Sequence, residues 1–231
     1  MAKRIDLLDA WRSLCVLLMV IYHLIYDLAL FNILEWDISS SDFGRPLAIA
    51  VSGSFIVIAG ISSRLSRNNL RRGLIVLAAA IAVSIGARIA GDVIRFGVLH
   101  MLGISMVIYG FAWKQFEKVP ERAAPVLWAA LAAASALLTA YIVPERDWLF
   151  ALGFKSEAFY SADYVPLLPW FFIYLFGTWA GGVIVKRRSS GNAGPELPKT
   201  VTWPGRHSLV IYLLHQPVLF GLCALLSGMG A

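Results

Sequence analysis

Residues 9–28 read DAWRSLCVLLMVIYHLIYDL, a stretch that is long enough and apolar enough to cross a bilayer as one helix. Three ionisable side chains interrupt it: Arg12, His23 and Asp27. Ionisable residues inside a membrane are costly, so a spanning stretch that keeps them is a candidate functional site. The stretch therefore indicates both the fold class and the first place to look for chemistry.

The composition of the whole chain agrees with this opening stretch. Of the 231 residues, 59% are hydrophobic and 15% are charged, and the mean hydropathy is +0.72, which excludes an ordinary soluble domain. The short alternating strands of a porin-type barrel are not found. We expect one all-α domain, residues 1–231, forming a polytopic transmembrane helical bundle of seven spans. The spans are expected near residues 12–32, 46–63, 73–91, 96–113, 124–143, 164–185 and 207–227.

The basic residues are unevenly distributed along these spans. Most of the 20 lysines and arginines lie before span one or in every second connection after it, whereas the other connections are richer in Asp and Glu. The positive-inside rule then predicts a cytoplasmic N-terminus and a C-terminus outside. This bias accounts for the net charge of +6, so we expect no nucleic-acid partner. We expect the bacterial inner membrane as the location.

Two connecting segments have a distinctive composition. Residues 189–200, SSGNAGPELPKT, predict a flexible cytoplasmic loop because they are rich in Gly, Pro and Ser. Residues 144–163, PERDWLFALGFKSEAFYSAD, are aromatic and longer than a tight turn needs, which favours a lid or interfacial helix on the outer surface.

The two cysteines, Cys15 and Cys223, fall near opposite ends of their spans, so we expect no disulfide between them. The sequence has no Cys-x-x-Cys and no paired His spacing, so we expect no metal site.

Helical geometry relates the three ionisable residues of the first span. Arg12 and His23 are eleven residues apart, so they share a helix face at a separation of about 16 Å along the axis. Asp27 lies one turn beyond His23, where its carboxylate could accept a hydrogen bond from one ring nitrogen and make the other more basic. Each of these residues also has an explanation that involves no catalysis. Arg12 could extend to the membrane surface, His23 could form a hydrogen bond with a neighbouring helix, and Asp27 could be exposed to solvent.

A second group of polar residues lies in RFGVLHMLG, residues 95–103. Arg95 and His100 would lie about 140° apart on a straight helix, and a bend at Gly97 would be needed to bring them together.

Two further segments carry polar residues within or beside apolar spans. In SLVIYLLHQP, residues 208–217, Pro217 removes a backbone hydrogen bond, so free carbonyls near His215 and Gln216 could line a cavity. In DYVPLLPWF, residues 163–171, the prolines set the start of span six and Asp163 could orient a polar acceptor.

These segments carry a resemblance. The spacing Arg-x10-His from Arg12 to His23 resembles the first helix of the acyltransferase family 3 membrane enzymes. RIDLLDAWR, YHLIYDL, RFGVLHMLGIS, DYVPLLPWF and SLVIYLLHQP, in this order, resemble bacterial members of the heparan-alpha-glucosaminide N-acetyltransferase catalytic-domain family. The resemblance to the second family covers nearly all of the chain.

The resemblance implies a transmembrane acyltransferase. Such an enzyme moves an acyl group, here expected to be acetyl, from cytoplasmic acyl-CoA to a hydroxyl or amino group of an envelope saccharide or glycolipid. Acyl-CoA, the acceptor and membrane lipids are the expected partners, and a homo-oligomer is one option. The implied catalytic residues are His23, Asp27, His100 and His215. The implied ligands of CoA are Arg12, Arg64, Arg71 and Arg72. The implied acceptor contacts are Arg95, Asp163, Trp170 and Gln216.

Within this scheme His23 removes the acceptor's proton or briefly carries the acyl group, and Asp27 orients it. His100, His215 and Arg95 bind the acceptor or stabilise the oxyanion.

The chain departs from the animal members of the family, which are expected to have a catalytic histidine between the first two spans. The corresponding segment, EWDISSSDFGR, residues 35–45, contains none, so heparan-type glucosamine is not the expected acceptor. Two other classes of function stay open. One is a proton-coupled or small-solute transporter that uses His23, Asp27, His100 and His215 as a relay. The other is a non-catalytic assembly or lipid-binding protein.

Overall fold

The computed structural model describes residues 5–189 and 195–228, and within these residues the chain is helical with no strand beyond an isolated bridge between Phe96 and Tyr164. The predicted all-α class is confirmed. The helices are α1 (Asp6–Leu30), α2 (Gly44–Leu65), α3 (Asn69–Ile89), α4 (Val98–Phe116), α5 (Ala124–Tyr141), α6 (Leu167–Ser189), α7 (Lys199–Arg206) and α8 (Ser208–Gly228), with a short 3₁₀ helix at Asp147–Leu152.

Seven of these helices coincide with the seven predicted spans. Six of them in the described part of the chain are long and apolar enough to cross a membrane: α1, α2, α3, α5, α6 and α8. The protein is therefore an integral membrane protein. The remaining span is α4, which has 19 residues but ends in the polar sequence Lys114-Gln115.

The packing of α8 on α1 bears on whether α4 crosses the membrane. His215 lies beside His23, and Phe220, further along α8, lies beside Phe31, further along α1. The two helices are therefore parallel and begin on the same side. Parallel spans must be separated by an odd number of crossings, and α2, α3, α5 and α6 supply only four. Counting α4 as a crossing supports the seven predicted spans.

The chain forms two compact units. Unit 1 comprises Met1–Phe55 and Asn192–Ala231, and unit 2 comprises Ile56–Gly191. Unit 1 thus contains α1, the first half of α2, α7 and α8, whereas unit 2 contains the second half of α2 and α3 to α6.

Helix α7, in unit 1, begins at the end of the segment 189–200 that was predicted to be a flexible loop and extends beyond it to Arg206, whereas residues 195–198 of that segment have no regular secondary structure. Helix α6 continues to Ser189, and a new helix begins at Lys199, while residues 190–194 lie outside the described residues, as do Lys3 and Arg4. Proline and glycine in KTVTWPGR gave no sequence signal for a helix. It forms against α1, where the Asp6 carboxylate accepts from the backbone N–H of Leu197 at 3.1 Å.

In unit 2, two ion pairs gather the C-terminal ends of three helices at one end. Arg64 of α2 pairs with Glu117 after α4, and Lys186 of α6 pairs with Glu121 before α5. The chain segments at this end carry most of the unit's basic residues. These basic residues are Arg64, Arg67, Arg71, Arg72, Lys114, Lys118, Arg122, Lys186, Arg187 and Arg188.

The aromatic segment 144–163 lies at the opposite ends of the same helices. Instead of a long interfacial helix it contains a single 3₁₀ helix, with Phe150 packed on Phe159 at 5.6 Å between ring centroids and Trp148 left 80% exposed. Hydrogen bonds from Ser156 lower the pKa of Asp147, so this carboxylate is ionised at neutral pH and holds the segment folded back on itself.

Candidate functional site

A pair of histidines lies between α1 and α8 in unit 1. The rings of His23 and His215 meet edge to face with their centroids 4.8 Å apart. Each ring places Nδ1 2.8 Å from a carbonyl of its own helix, Met19 for His23 and Tyr212 for His215. A carbonyl can only accept, so Nδ1 carries the proton in both rings. In this tautomer the neutral form of each ring has its lone pair on Nε2.

A carboxylate and an amide lie one turn further along the same two helices. Asp27 is 0% exposed, and its Oδ1 accepts from Nε2 of Gln216 at 2.8 Å. This corrects two expectations. The hydrogen bond between His23 and Asp27 is not formed, because Nδ1 of His23 is bonded to Met19, and Asp27 is not solvated. Sequence spacing could not reveal Gln216 as the partner of Asp27, since the two are 189 positions apart.

Three buried polar atoms in this group have no hydrogen-bond partner: Asp27 Oδ2, Gln216 Oε1 and His215 Nε2. Buried polar groups are normally paired, because an unpaired one costs about 1–3 kcal/mol. Gln216 Oε1 is an acceptor, His215 Nε2 is an acceptor because Nδ1 carries the ring's proton, and Asp27 Oδ2 is an acceptor when the carboxyl group is ionised. We refer to His23, Asp27, His215 and Gln216 as the α1/α8 polar group. With Asp27 ionised, the free atoms of this group can receive O–H or N–H donors.

Arg12 lies toward the start of α1, in a charged cluster of different character. Its Nη1 donates to Asp9 at 2.9 Å and to the Gly205 carbonyl at 3.4 Å. Arg206 of α7 pairs with both Asp9 and Asp6 at 3.1 and 3.0 Å. The four charges sum to zero. Arg12 thus has protein carboxylate and carbonyl partners, which a residue snorkelling to the membrane surface would lack.

The three arginines expected to bind CoA with Arg12 lie at the basic end of unit 2. Arg64 is paired with Glu117. Arg72 donates to the Ser62 carbonyl at 3.2 Å. Arg71 is exposed in the first turn of α3. Arg71 is thus the best placed of the three to receive an anionic ligand without first losing a carboxylate.

The predicted group around His100 is in unit 2, and its side chains are engaged by the backbone and by rings. Nδ1 of His100 accepts from the Gly97 N–H at 3.2 Å, and the ring stacks on Phe96 at 5.6 Å. Arg95 precedes α4 and places its guanidinium 5.4 Å from the Phe159 ring centroid. Gly97 is the N-terminal boundary of α4 and not a bend within a helix, and Arg95 and His100 have separate partners.

Asp163 acts on the same helix end. Its Oδ2 accepts from the Val98 N–H at 2.9 Å, so the carboxylate caps α4 and lies at the positive end of its dipole. A Cβ at Gly97 would fall 2.1 Å from that oxygen, so any larger residue here would displace the Asp163 carboxylate. Trp170 is partly buried in the first turn of α6.

The connection between α1 and α2 is the segment that lacks a histidine. The Ser39 hydroxyl and N–H donate to Asp37 at 2.7 and 2.8 Å, an arrangement that lowers the pKa of Asp37 and fixes a turn. Asp37 is therefore ionised at neutral pH and part of a local turn.

The cysteines and the possible metal ligands complete the survey of the described residues. Cys15 and Cys223 are free and buried. No group of three or more His, Cys, Asp or Glu side chains in residues 5–189 and 195–228 is placed to hold a metal ion.

The fold and this site define a helical membrane protein in which a half-buried histidine and a buried histidine, in contact with each other, can deprotonate a polar substrate. A family model, heparan-alpha-glucosaminide N-acetyltransferase, catalytic, matches residues 4–217. The chain belongs to this family, as the resemblance indicated. Membership identifies it as a transmembrane acetyltransferase by class, in preference to a transporter or an assembly protein. No curated protein and no solved structure matches the chain.

Proposed function

We propose that this protein transfers an acetyl group from acetyl-CoA to a hydroxyl or amino group of a saccharide, with His23 as the general base. The observation that carries the proposal is the α1/α8 polar group, in which the ring of His23 meets the ring of His215 and three polar atoms of the group have no hydrogen-bond partner. The family supplies the reaction class, and its donor is acetyl-CoA.

The proton balance follows from the tautomer of His23. Nε2 takes the proton of the acceptor O–H or N–H as the acceptor atom attacks the thioester carbonyl. The tetrahedral intermediate then collapses, the C–S bond breaks, and CoA leaves as a thiolate. The imidazolium of His23 returns its proton to that sulfur, so the base is regenerated and no net charge is left in the membrane.

The neighbours of His23 bind the acceptor in this scheme. Asp27 Oδ2, Gln216 Oε1 and His215 Nε2 accept hydrogen bonds from neighbouring hydroxyl or amino groups of the saccharide. These three atoms are hydrogen-bond acceptors, so the negative charge that develops on the thioester oxygen must be stabilised by donors elsewhere. In this scheme His215 binds the saccharide and does not stabilise the oxyanion.

The donor is placed at the basic end of unit 2. Arg71, with Arg72 and Arg64 beside it, can form charge-assisted bonds with the phosphates of CoA. Arg12 is less suited to this task, since its charge is balanced within its own cluster. The basic end faces the cytoplasm under the positive-inside rule, and we place the protein in a bacterial inner membrane with its acceptor on the far side.

The direct test uses purified protein in proteoliposomes. Acetyl-CoA labelled in the acetyl group is added outside, a panel of neutral and amino saccharides is enclosed, and labelled saccharide is measured over time. We expect label to reach the lumen with the native protein and not with His23→Ala. Acid quenching during turnover distinguishes direct transfer from an acetyl-histidine intermediate, because only the second leaves label on the protein.

The donor site is tested separately by acetyl-CoA calorimetry. Arg71→Ala is expected to weaken binding about 10-fold, since one charge-assisted contact is lost. Arg88→Ala, at the other end of α3, is the matched control and should bind as the native protein does. Failure to bind acetyl-CoA, or lumenal labelling that persists in His23→Ala, would contradict the proposal.

A further inference from the structure

We infer that Gly205 and Arg206 are positioning residues, because α7 sets the register of α8 against α1 and thereby holds His215 against His23. The inference rests on the proposed function of the histidine pair. It concerns residues of unit 1 that contact neither the histidines nor a substrate. It is carried by three sets of contacts: a close backbone approach, a forked ion pair and a braced helix junction.

The close approach is at Gly205. Its N–H donates to the Ser13 hydroxyl at 2.7 Å, and that hydroxyl donates in turn to the Asp9 carbonyl at 3.0 Å. A Cβ at position 205 would lie 2.0 Å from the Asp9 carbonyl oxygen and 3.0 Å from the Ser13 nitrogen. Both are backbone atoms of α1 and cannot rotate away. Any larger residue must therefore push α7 off α1.

The forked ion pair is made by the next residue. Arg206 donates from Nε to Asp9 at 3.1 Å and from Nη2 to Asp6 at 3.0 Å. Two separate nitrogens in one rigid plane reach two carboxylates one turn apart on α1. A lysine ammonium supplies charge but lacks this fork, so it cannot fix the angle between the helices in the same way.

The junction between α7 and α8 transmits this placement. His207 is the single residue between them, and its N–H lies 3.2 Å from both the Trp203 and the Pro204 carbonyls. Its Nδ1 also donates to the Trp203 carbonyl at 2.9 Å, and its ring packs on the Trp203 ring at 4.5 Å. On the α8 side, the His207 carbonyl accepts from the Ile211 N–H at 3.0 Å. Because His207 is bonded to both helices, we expect α8 to move with α7.

The two contacts are ten residues apart in both partners. On α1, Ser13 and His23 are ten residues apart, and in the partner the path from Gly205 to His215 runs through the end of α7, His207 and the first two turns of α8. Ten residues of α1 rise about 15 Å, so the placement of α7 at the first contact sets where α8 meets α1 at the second. A slip of one residue would move α8 by about 1.5 Å and turn His215 by about 100° away from His23.

The test compares Gly205→Ala with Gly221→Ala. Gly221 is on α8, and a Cβ there meets nothing within 4 Å, so it is a matched control. Misplacement by about 1 Å can cost about 100-fold in rate, so we expect Gly205→Ala to lower kcat by at least about 10-fold. The KM for acetyl-CoA should stay within about 2-fold, because binding of the donor does not involve this contact. Gly221→Ala should change neither constant.

The position of α8 relative to α1 can also be measured by cross-linking, without an activity assay. Cysteines replace Phe31 and Phe220, whose rings lie 4.9 Å apart, with Cys15 and Cys223 changed to Ala, and a short thiol cross-linker is applied. We expect Gly205→Ala to slow cross-linking and Gly221→Ala not to. Arg206→Ala should slow both cross-linking and turnover, and Arg206→Lys should restore only part of each.

The outcomes separate this inference from the proposed function. Slower cross-linking in a protein with no acetyl transfer would contradict the proposed function and support the positioning role of α7. Unchanged cross-linking and unchanged kcat in Gly205→Ala, with native acetyl transfer present, would overturn the inference and leave the proposed function intact.

Discussion

The α1/α8 polar group and the start of α4 use similar residues in opposite ways. Each has a histidine and an aspartate near the end or middle of an apolar helix. At the start of α4, His100 accepts from Gly97, and Asp163 accepts from Val98, so both side chains complete a helix end. In the α1/α8 polar group, Asp27, Gln216 and His215 each retain a buried acceptor atom with no partner.

The comparison teaches how to separate two kinds of buried polar residue. A carboxylate that satisfies the free N–H groups of a helix stabilises the fold, and its removal costs stability. A buried polar atom without a partner costs free energy in the folded protein, so it is retained for another reason. The four predictions below, from the largest effect to the smallest, test whether this division holds.

The largest effect is expected for His23→Ala. Loss of a general base should lower turnover about 1,000-fold while acetyl-CoA binding and thermal stability stay close to native. His100→Ala is the matched comparison, and it should lower the melting temperature with turnover reduced less than about 10-fold. Turnover and melting in detergent are the measurements. Equal losses of turnover in both variants would contradict the distinction between a catalytic His23 and a structural His100.

Asp27→Asn should have the next largest effect. The substitution keeps the shape and the oxygen that accepts from Gln216, but it replaces the free acceptor by a donor amide. At a limiting concentration of the saccharide, we expect turnover to fall about 100-fold, because the new amide N–H group would face the O–H or N–H groups of the saccharide. Stability should not fall, because the substitution keeps the shape of the side chain and the hydrogen bond from Gln216. A lower melting temperature with unchanged turnover would assign Asp27 a structural role.

Gly97→Ala should destabilise the start of α4. The new methyl group would overlap the Asp163 carboxylate, so Asp163 must rotate and lose its bond to the Val98 N–H. The combined cost is about 2 kcal/mol, which corresponds to a melting temperature lower by about 4–8 °C. Turnover of the folded protein at low temperature should stay within about 3-fold of native. Complete loss of activity in a folded variant would place this region in the site.

The smallest effect is expected for Asp163→Asn. The neutral side chain still fits beside Gly97 but loses the charge interaction with the helix dipole, a cost of about 0.5–1 kcal/mol. The melting temperature should fall by about 1–4 °C, and the acceptor KM should not change. An acceptor KM raised more than about 10-fold would instead support the predicted substrate contact.

The sequence predicted much of the fold but only part of the site. Apolar length located the seven spans to within a few residues of the observed helices, because spanning a membrane imposes a local requirement on each segment. Residues 199–206, just before span seven, form α7, a helix that the sequence did not predict. Helix breakers such as Pro204 and Gly205 hide a helix whose stability comes from Asp6, Asp9 and Ser13 of α1.

For the site, the sequence identified the residue types and missed their partners. His23, Asp27, His215 and Gln216 were all candidates from their positions within apolar spans, and the structure brings these four together. The expected hydrogen bond between His23 and Asp27 is not formed, because His23 bonds to the Met19 carbonyl of its own helix and Asp27 accepts from the side chain of Gln216 on α8. His100 and Asp163 looked equally functional in sequence, since capping of a helix end depends on contacts 65 positions apart.

By itself the sequence determined the all-α membrane fold, the family and the shared face of Arg12 and His23, because these depend on composition, motif order and the period of one helix. Only the tertiary structure decided that α1 and α8 run parallel, that Gly205 anchors them, and which buried polar atoms stay unpaired. The physical reason is that a buried polar atom is paired or unpaired according to the residues that pack around it. Those residues come from distant parts of the chain, so the sequence of one segment cannot specify them.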